Sequence, residues 1–345
     1  MPSDAELMAE AIGLSRLGFP APNPRVGAVV VADGEIVGRG FHEMAGMPHA
    51  EVVALGEAGE RARGGELFVT LEPCDHHGRT PPCTDAILAA GVRRVVFANR
   101  DMNPEASGGE ERLRAAGVAV DHAPSAEAAD VNRVFEGRWR LGRPYVVAKA
   151  AVTLDGFIAD EAGESKWISG EGARVRAHEL RAEMGCVLVG AETSLRDNPS
   201  LMCRDAAGRV HLRAVLDPRR RLPDDLGLFV TDDALTLRFV GESAGEADVL
   251  VPILESGALD LRAVLDEIAG RGMIGVLVEG GGTTIGEFFR QGFVDEVELH
   301  VSPKALGGGT GWLRAPVGLA EAWRFSEMRC ESLGDGLVIR AKVAR

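Results

Sequence analysis

Short apolar runs alternate with amphipathic stretches along the whole chain. MPSDAELMAEAIGLSRLG (1–18) has helical spacing, with Ser3 as cap and Glu6 three residues on. RVGAVVVADGEIVGRG (25–40) reads as a hairpin, two β-rich runs turning at Asp33-Gly34. HAEVVALGEAGERARG (49–64) returns to helical spacing and stops at Gly64-Gly65. ELFVTLE (66–72) predicts a buried strand, TDAILAAG (84–91) a helix and VRRVVFAN (92–99) a strand. GGEERLRAAGVAV (108–120) predicts a helix followed by a strand. This order implies an α/β layered domain.

The stretch 123–144 is helical, basic near its end, and stops at Arg143-Pro144. The domain boundary is placed there, giving domains 1–143 and 144–345. A second α/β series follows, with strands YVVAKAAV, GCVLVGAE, LRAVLDP, IGVLVEGG and DEVELHVSP. Helices around 170–184, 259–271 and 284–291 separate several of them. No internal repeat stands out.

Composition narrows the functional classes. A length of 345 residues suits two domains, and 46% hydrophobic with 26% charged residues is ordinary for a globular chain. No run approaches the about 20 apolar residues of a membrane span. The N-terminus carries acids where a signal peptide needs a basic start, so a cytoplasmic location is expected. The net charge of −14, without a basic block, argues against nucleic-acid binding. Five cysteines, an odd and sparse set, do not suit a disulfide scaffold. Cys186, Cys203 and Cys330 read as inert packing.

The remaining pair, Cys74 and Cys83, brackets DHHGRTPP. Upstream, PHAEVV offers His49 and Glu51 at a predicted helix start. Zinc takes four ligands, and a catalytic zinc keeps one position for water. Cys74, Cys83 and His49 supply three. Glu51 lies at about 200° around an ideal helix from His49. It is therefore better placed to reach the water than the ion, and would move a proton from it to a departing nitrogen. H-A-E followed by P-C and a second Cys matches the zinc deaminase signature, with eight residues between the cysteines instead of two. A closed structural zinc remains the other reading, with His42, His76 or His77 as fourth ligand.

HHGRTPPC (76–83), with NPRVGAVVV (23–31), GRGFHEMAGMPHAEVVAL (38–55) and LFVTLEPC (67–74), resembles the pyrimidine deaminase of riboflavin biosynthesis. The second domain is similar to that family's partner reductase. The matching pieces are RPYVVAKAAVTLDGFIA (143–159), SKWISG (165–170), HELRAEMGCVLVGAETSLRDNPSLMCR (178–204), LRAVLDP (212–218), LVEGGG (277–282) and PKALGGG (303–309). The resemblance implies an α/β chain. Its N-terminal domain would be cytidine-deaminase-like and three-layered, its C-terminal domain dihydrofolate-reductase-like.

It also implies two consecutive reactions. The first is zinc-dependent deamination of 2,5-diamino-6-(5-phosphoribosylamino)pyrimidin-4(3H)-one. The second is NADPH-dependent reduction of the ribosyl group to ribityl. Carried over residue by residue, His49, Cys74 and Cys83 bind Zn2+, and Glu51 shuttles the proton. Asn23, His42 and His76 contact the deaminase substrate, with Arg79 beside them. Lys149, Trp167, Ser169, Arg181, Asp197, Arg204 and Glu279 belong to the reductase substrate site. Arg181 and Arg204 are the expected hands for its phosphate. Asp155, Gly156, Thr193, Gly280, Gly281 and Gly282 fall to the cofactor. EGGG (279–282) ends a strand and opens a helix, where amides can approach a pyrophosphate; no GxGxxG is present. The family suggests a homo-oligomer, dimer or tetramer.

Two other readings compete. One is a zinc deaminase of another nucleotide or a tRNA base, with a non-catalytic second domain. The other is a regulatory relic, against which the intact His49, Glu51, Cys74 and Cys83 set argues.

Overall fold

The computed structural model describes residues 2–78, 81–204, 208–242, 245 and 248–344. The chain divides into two compact units, Met1–Gly142 and Arg143–Arg345. The division falls one residue before the expected boundary because Arg143 is buried in the second unit. Both arms of its guanidinium donate to Asp295 at 2.7 Å.

The first unit is built on a five-stranded sheet. Its elements are helix α1 (Asp4–Ser15), strands β1 (Gly27–Ala32) and β2 (Glu35–Phe41), α2 (Ala50–Ala58), β3 (Glu66–Leu71), α3 (Cys83–Ala90), β4 (Arg94–Asn99), α4 (Gly109–Ala115), β5 (Ala119–His122), α5 (Ala126–Val131) and α6 (Arg133–Leu141). The strand order is β2-β1-β3-β4-β5. The β1–β2 hairpin turns through Asp33 (φ 53°) and Gly34 (φ 81°), the left-handed pair that a two-residue turn requires. Strand side chains alternate between two cores. Ala28, Val30, Leu67, Val69, Val95 and Phe97 face α2, α3 and α4. Val29, Val31, Phe68 and Val96 face α1 and α5. Helices therefore cover both faces, giving three layers.

Two expectations change in detail. The helix beginning near His49 ends at Ala58, and a tight 3₁₀ turn, Gly59–Ala62, completes the stretch. The helical segment after 123 is two helices that meet at Asn132. The Asn132 side chain is drawn away from helix capping, accepting from Arg25 N and donating to Arg25 O.

The second unit is built on a nine-stranded sheet. It comprises β6 (Tyr145–Thr153), β7 (Phe157–Ala159), α7 (Glu171–Met184), β8 (Cys186–Gly190), α8 (Ala191–Asp197), β9 (Leu212–Leu216), the short α9 (Gly227–Val230), β10 (Leu235–Val240), β11 (Asp248–Leu250), α10 (Leu261–Gly270), β12 (Gly275–Glu279), α11 (Gly282–Arg290), β13 (Glu296–Ser302), β14 (Thr310–Gly311), β15 (Phe325–Leu333) and β16 (Gly336–Val343). The order is β11-β10-β9-β8-β12-β6-β13-β16-β15, with β7 and β14 forming a separate ribbon. Pairing is parallel from β11 to β13 and antiparallel at β16 and β15. Strand order reverses at β8 and β12. Open α/β sheets form their ligand crevice at such a point, beyond the carboxyl ends of the strands.

Residues 219–258, for which the sequence offered no match, supply the outer strands β10 and β11. The C-terminal hairpin β15–β16 was also not anticipated. Most of β15 is exposed, so it carries no apolar alternation to read. Among the described residues no helix is long and apolar enough to cross a membrane.

Candidate active sites

In the first unit, β3 runs out into Pro73-Cys74, and Pro82 is the N-cap of α3, whose first residue is Cys83. His49 is the N-cap of α2. Strand end and helix starts converge. His49 Nδ1 lies 3.2 Å from Cys83 Sγ and 3.6 Å from Cys74 Sγ. The three donor atoms all lie within 4.8 Å of one another.

This set fits zinc. Bonds of about 2.3 Å to sulfur and 2.0 Å to nitrogen, at a tetrahedral angle, put the donors about 3.5 Å apart. Among the described residues no other side chain joins the group. His42 has both ring nitrogens engaged, with Pro48 O and Asn23 Nδ2, each at 3.1 Å. The donor set is that of a site with an open fourth position, not a closed one.

Electrostatics follow from burial. The thiol of Cys83 donates toward Cys74, and together with His49 it holds the Cys74 thiol well below its ordinary pKa. Cys83 is pushed upward by the same partner and by burial. Burial, reinforced by the Cys74 thiolate, raises Glu51 to about 7. Glu51 is 3% exposed and lies outside the three-donor group but lines a cavity together with His49 and Cys74.

That cavity is about 340 Å³ and also takes in Asn23, His42 and His76. The buried Nδ1 of His76 has no hydrogen-bond partner among the described residues, which suits a group awaiting a ligand. His77 is exposed. Arg79 lies outside the described residues. Sequence reasoning missed Asp101 and Asn103, which line the wall beyond β4. Burial lifts Asp101 to about 6. A polar Asp-x-Asn after a strand was their only signal.

In the second unit the reversal point holds a cavity of about 880 Å³. It gathers Lys149, Arg181, Thr193, Asp197, Glu279 and the run Gly280–Gly282. Lys149 on β6 is paired in register with Glu279 on β12. Burial lowers Lys149. Burial alone would raise Glu279, but Arg181 and then Lys149 hold it at about 2. Thr193 Oγ1 accepts from Gly281 N at 3.2 Å. Gly282 opens α11 under close cover: a Cβ there would stand 2.3 Å from Gly311 O. Backbone amides at a helix start of this kind can approach an anionic group closely.

Other expected residues lie apart from this cavity's walls. Arg204 is exposed, with no side-chain partner among the described residues. Trp167 is exposed beneath Arg174, 5.1 Å from the ring centroid. The Ser169 carbonyl accepts from Arg174 at 3.3 Å. Asp155 closes its own loop, accepting from Thr153 Oγ1 and from Leu306 and Gly307 amides at 2.5–2.9 Å. Gly156 takes φ 87° in that turn. Sequence reasoning missed Ser165 and Arg221, both on the cavity wall.

Two family descriptions match the chain: "Cytidine and deoxycytidylate deaminase zinc-binding region" over residues 1–99, and "RibD C-terminal domain" over residues 144–339. The riboflavin biosynthesis protein RibD of Aquifex aeolicus is 41% identical over 340 residues, covering 96% of this chain and 96% of that relative. The Escherichia coli RibD is 38% identical, covering 94% and 96%. Among solved structures, Acinetobacter baumannii RibD superposes with TM-score 0.88 at 34% identity, covering 99% of each chain. A Thermotoga maritima diaminohydroxyphosphoribosylaminopyrimidine deaminase/5-amino-6-(5-phosphoribosylamino)uracil reductase superposes with TM-score 0.86 at 35% identity, again covering 99% of each. Neither the competing single-deaminase reading nor the relic reading is favoured by such full-length likeness. The chain belongs to the RibD family and is a bifunctional deaminase and reductase of riboflavin biosynthesis.

Proposed function

We propose that the first unit deaminates 2,5-diamino-6-(5-phosphoribosylamino)pyrimidin-4(3H)-one at C2 and that the second reduces the ribosyl group of the product to ribityl with NADPH. The observation that carries this reading is the His49, Cys74 and Cys83 triangle, with the buried carboxyl of Glu51 lining the cavity onto which His49 and Cys74 open.

His49, Cys74 and Cys83 hold zinc. Zinc in such a site supplies Lewis-acid activation of a water molecule. Glu51 takes a proton as water adds to C2 and returns it to the amino nitrogen, so that ammonia leaves and a ring carbonyl remains. Its burial suits a carboxyl that must both accept and give up a proton. His76 donates or accepts through its unpartnered Nδ1. Asn23, anchored by His42, presents the rest of its amide to the ring.

In the second unit Gly280–Gly282 and Thr193 seat the pyrophosphate of NADPH, with Arg221 toward its adenosine end. NADPH supplies the hydride. Lys149 and Glu279 orient the sugar, and Lys149 donates a proton to the ring oxygen as the sugar opens. Arg204 takes the phosphate. The enzyme works in the cytoplasm as a homo-oligomer, a dimer or tetramer, without nucleic-acid partners; sizing chromatography with light scattering reads the assembly.

The test supplies the diaminopyrimidine phosphate with NADPH and follows ammonia and absorbance at about 340 nm together. Stoichiometric ammonia release and NADPH oxidation are expected. Ammonia without NADPH consumption would leave a single deaminase with a silent second unit.

A further inference from the structure

The cysteines of the first unit are separated by eight residues, Asp75 to Pro82. A two-residue spacer sets the distance between two sulfurs through the backbone alone. An eight-residue loop does not, because closing its ends costs entropy that the loop itself does not return. Something else must hold Cys74 and Cys83 together.

The residues that follow each cysteine do so. Thr84 Oγ1 donates to Asp75 Oδ1 at 2.7 Å, joining the neighbour of Cys83 to the neighbour of Cys74. The backbone repeats the tie, with Thr84 N donating to Cys74 O at 3.3 Å and Cys83 N to Cys74 Sγ at 3.4 Å. Arg112 reaches over from α4 and closes the ring. Its Nη1 donates to Asp75 Oδ1 at 2.5 Å and to Thr84 Oγ1 at 3.0 Å, while Nη2 donates to Asp85 Oδ1 at 2.5 Å. Asp75 N donates to Ala106 O at 3.1 Å, fixing the outer side. Thr84 is fully buried, and none of Asp75, Thr84, Asp85 and Arg112 lines the cavity onto which His49 and Cys74 open.

We propose that Asp75, Thr84 and Arg112 form a brace that sets the spacing of the two cysteine sulfurs, which makes Arg112 a positioning residue for the metal centre. The proposal rests on the zinc reading above. A charged fork from α4, in contact with the residues that follow each cysteine but distant from them in sequence, replaces the short spacer. Its loss lets the thiols drift while the fold of the unit persists. Outer partners of metal ligands typically contribute 10–100-fold to metal affinity.

The experiment uses the full chain loaded with zinc. Transfer of zinc to a chromophoric chelator gives affinity, and the visible bands of the cobalt-substituted protein report donor geometry. Asp75→Ala and Arg112→Ala are expected to weaken zinc binding 10–100-fold and to weaken or shift the cobalt bands. Arg112→Lys is expected to recover part of both. Asp85→Ala, which removes only the outer arm, is expected to change neither. Thr84→Val removes a single hydroxyl and carries the same expectation as Asp75→Ala without a charge change. Far-ultraviolet dichroism and reductase activity check that the fold holds. Wild-type zinc affinity and cobalt bands in both Asp75→Ala and Thr84→Val would overturn the brace. So would a loss in Asp85→Ala equal to that in Arg112→Ala. If the wild-type chain itself takes up no zinc, the underlying zinc reading fails instead.

Discussion

Arg181 grips Glu279 with both arms of its guanidinium, Nε to Oε1 at 2.8 Å and Nη2 to Oε2 at 2.7 Å. Its remaining arm donates to Met202 O at 3.0 Å. The residue expected as a hand for phosphate is therefore spent on a carboxylate, whereas Arg204, the other expected hand, is exposed and has no side-chain partner among the described residues. Lysine cannot reproduce a two-pronged grip. Arg181→Lys should lower reductase kcat/KM by about tenfold or more, an expectation for losing one charged hydrogen bond, and leave ammonia release unchanged. Wild-type reductase kinetics in this variant would show that the grip has no part in the reaction.

The same pair makes stability depend on pH. The pKa of Glu279 is held at about 2 in the folded chain, against 4.5 for an ordinary glutamate. A depressed carboxyl contributes stability above its unfolded value and loses it as pH falls toward the folded one. Wild type should thus lose about 2 kcal/mol more than Glu279→Gln between pH 6 and pH 3. Denaturant titrations of the two proteins at several pH values measure this. Parallel curves would contradict it.

Glu51→Gln should retain zinc and abolish ammonia release, by a factor of about 10² to 10⁴, the usual span for a lost acid-base group. Metal analysis and an ammonia assay on the same sample decide. Deamination at the wild-type rate would remove Glu51 from the proton path.

Arg204→Ala should raise the KM of the reductase for its phosphorylated substrate and leave the deaminase untouched. Equal loss of both activities would indicate misfolding or one shared site.

Chelation should separate the two activities. Removing zinc should stop ammonia release and leave NADPH oxidation intact when the deaminated intermediate is supplied directly. Loss of both on chelation would mean that metal supports the whole chain.

Much of the architecture was legible because apolar residues repeat with the period of the element that buries them. The β1–β2 hairpin was marked by Asp33-Gly34, β6, β8, β9 and β12 by largely apolar runs, and β13 by apolar residues alternating with polar ones. The helix break at Asn132 was not legible. It depends on hydrogen bonds to Arg25, 107 residues away. Nor was the β15–β16 hairpin, whose exposed positions carry no alternation.

The sequence by itself determined the chemistry of the first unit, because a zinc donor set is a matter of residue type and order: His49, then Cys74, then Cys83, with Glu51 two residues past the histidine. It also carried the family resemblance. Tertiary structure alone decided which polar groups are free. It tied up Arg181 with Glu279 and His42 with Asn23 and Pro48, and it left His76 Nδ1 without a partner among the described residues. It set Arg112 across the two cysteine loops and brought Asp101, Asn103, Ser165 and Arg221 to cavity walls. The reason is physical. Whether a charge binds a ligand or a neighbour depends on distances of a few ångströms between elements remote in sequence, and no local pattern records them.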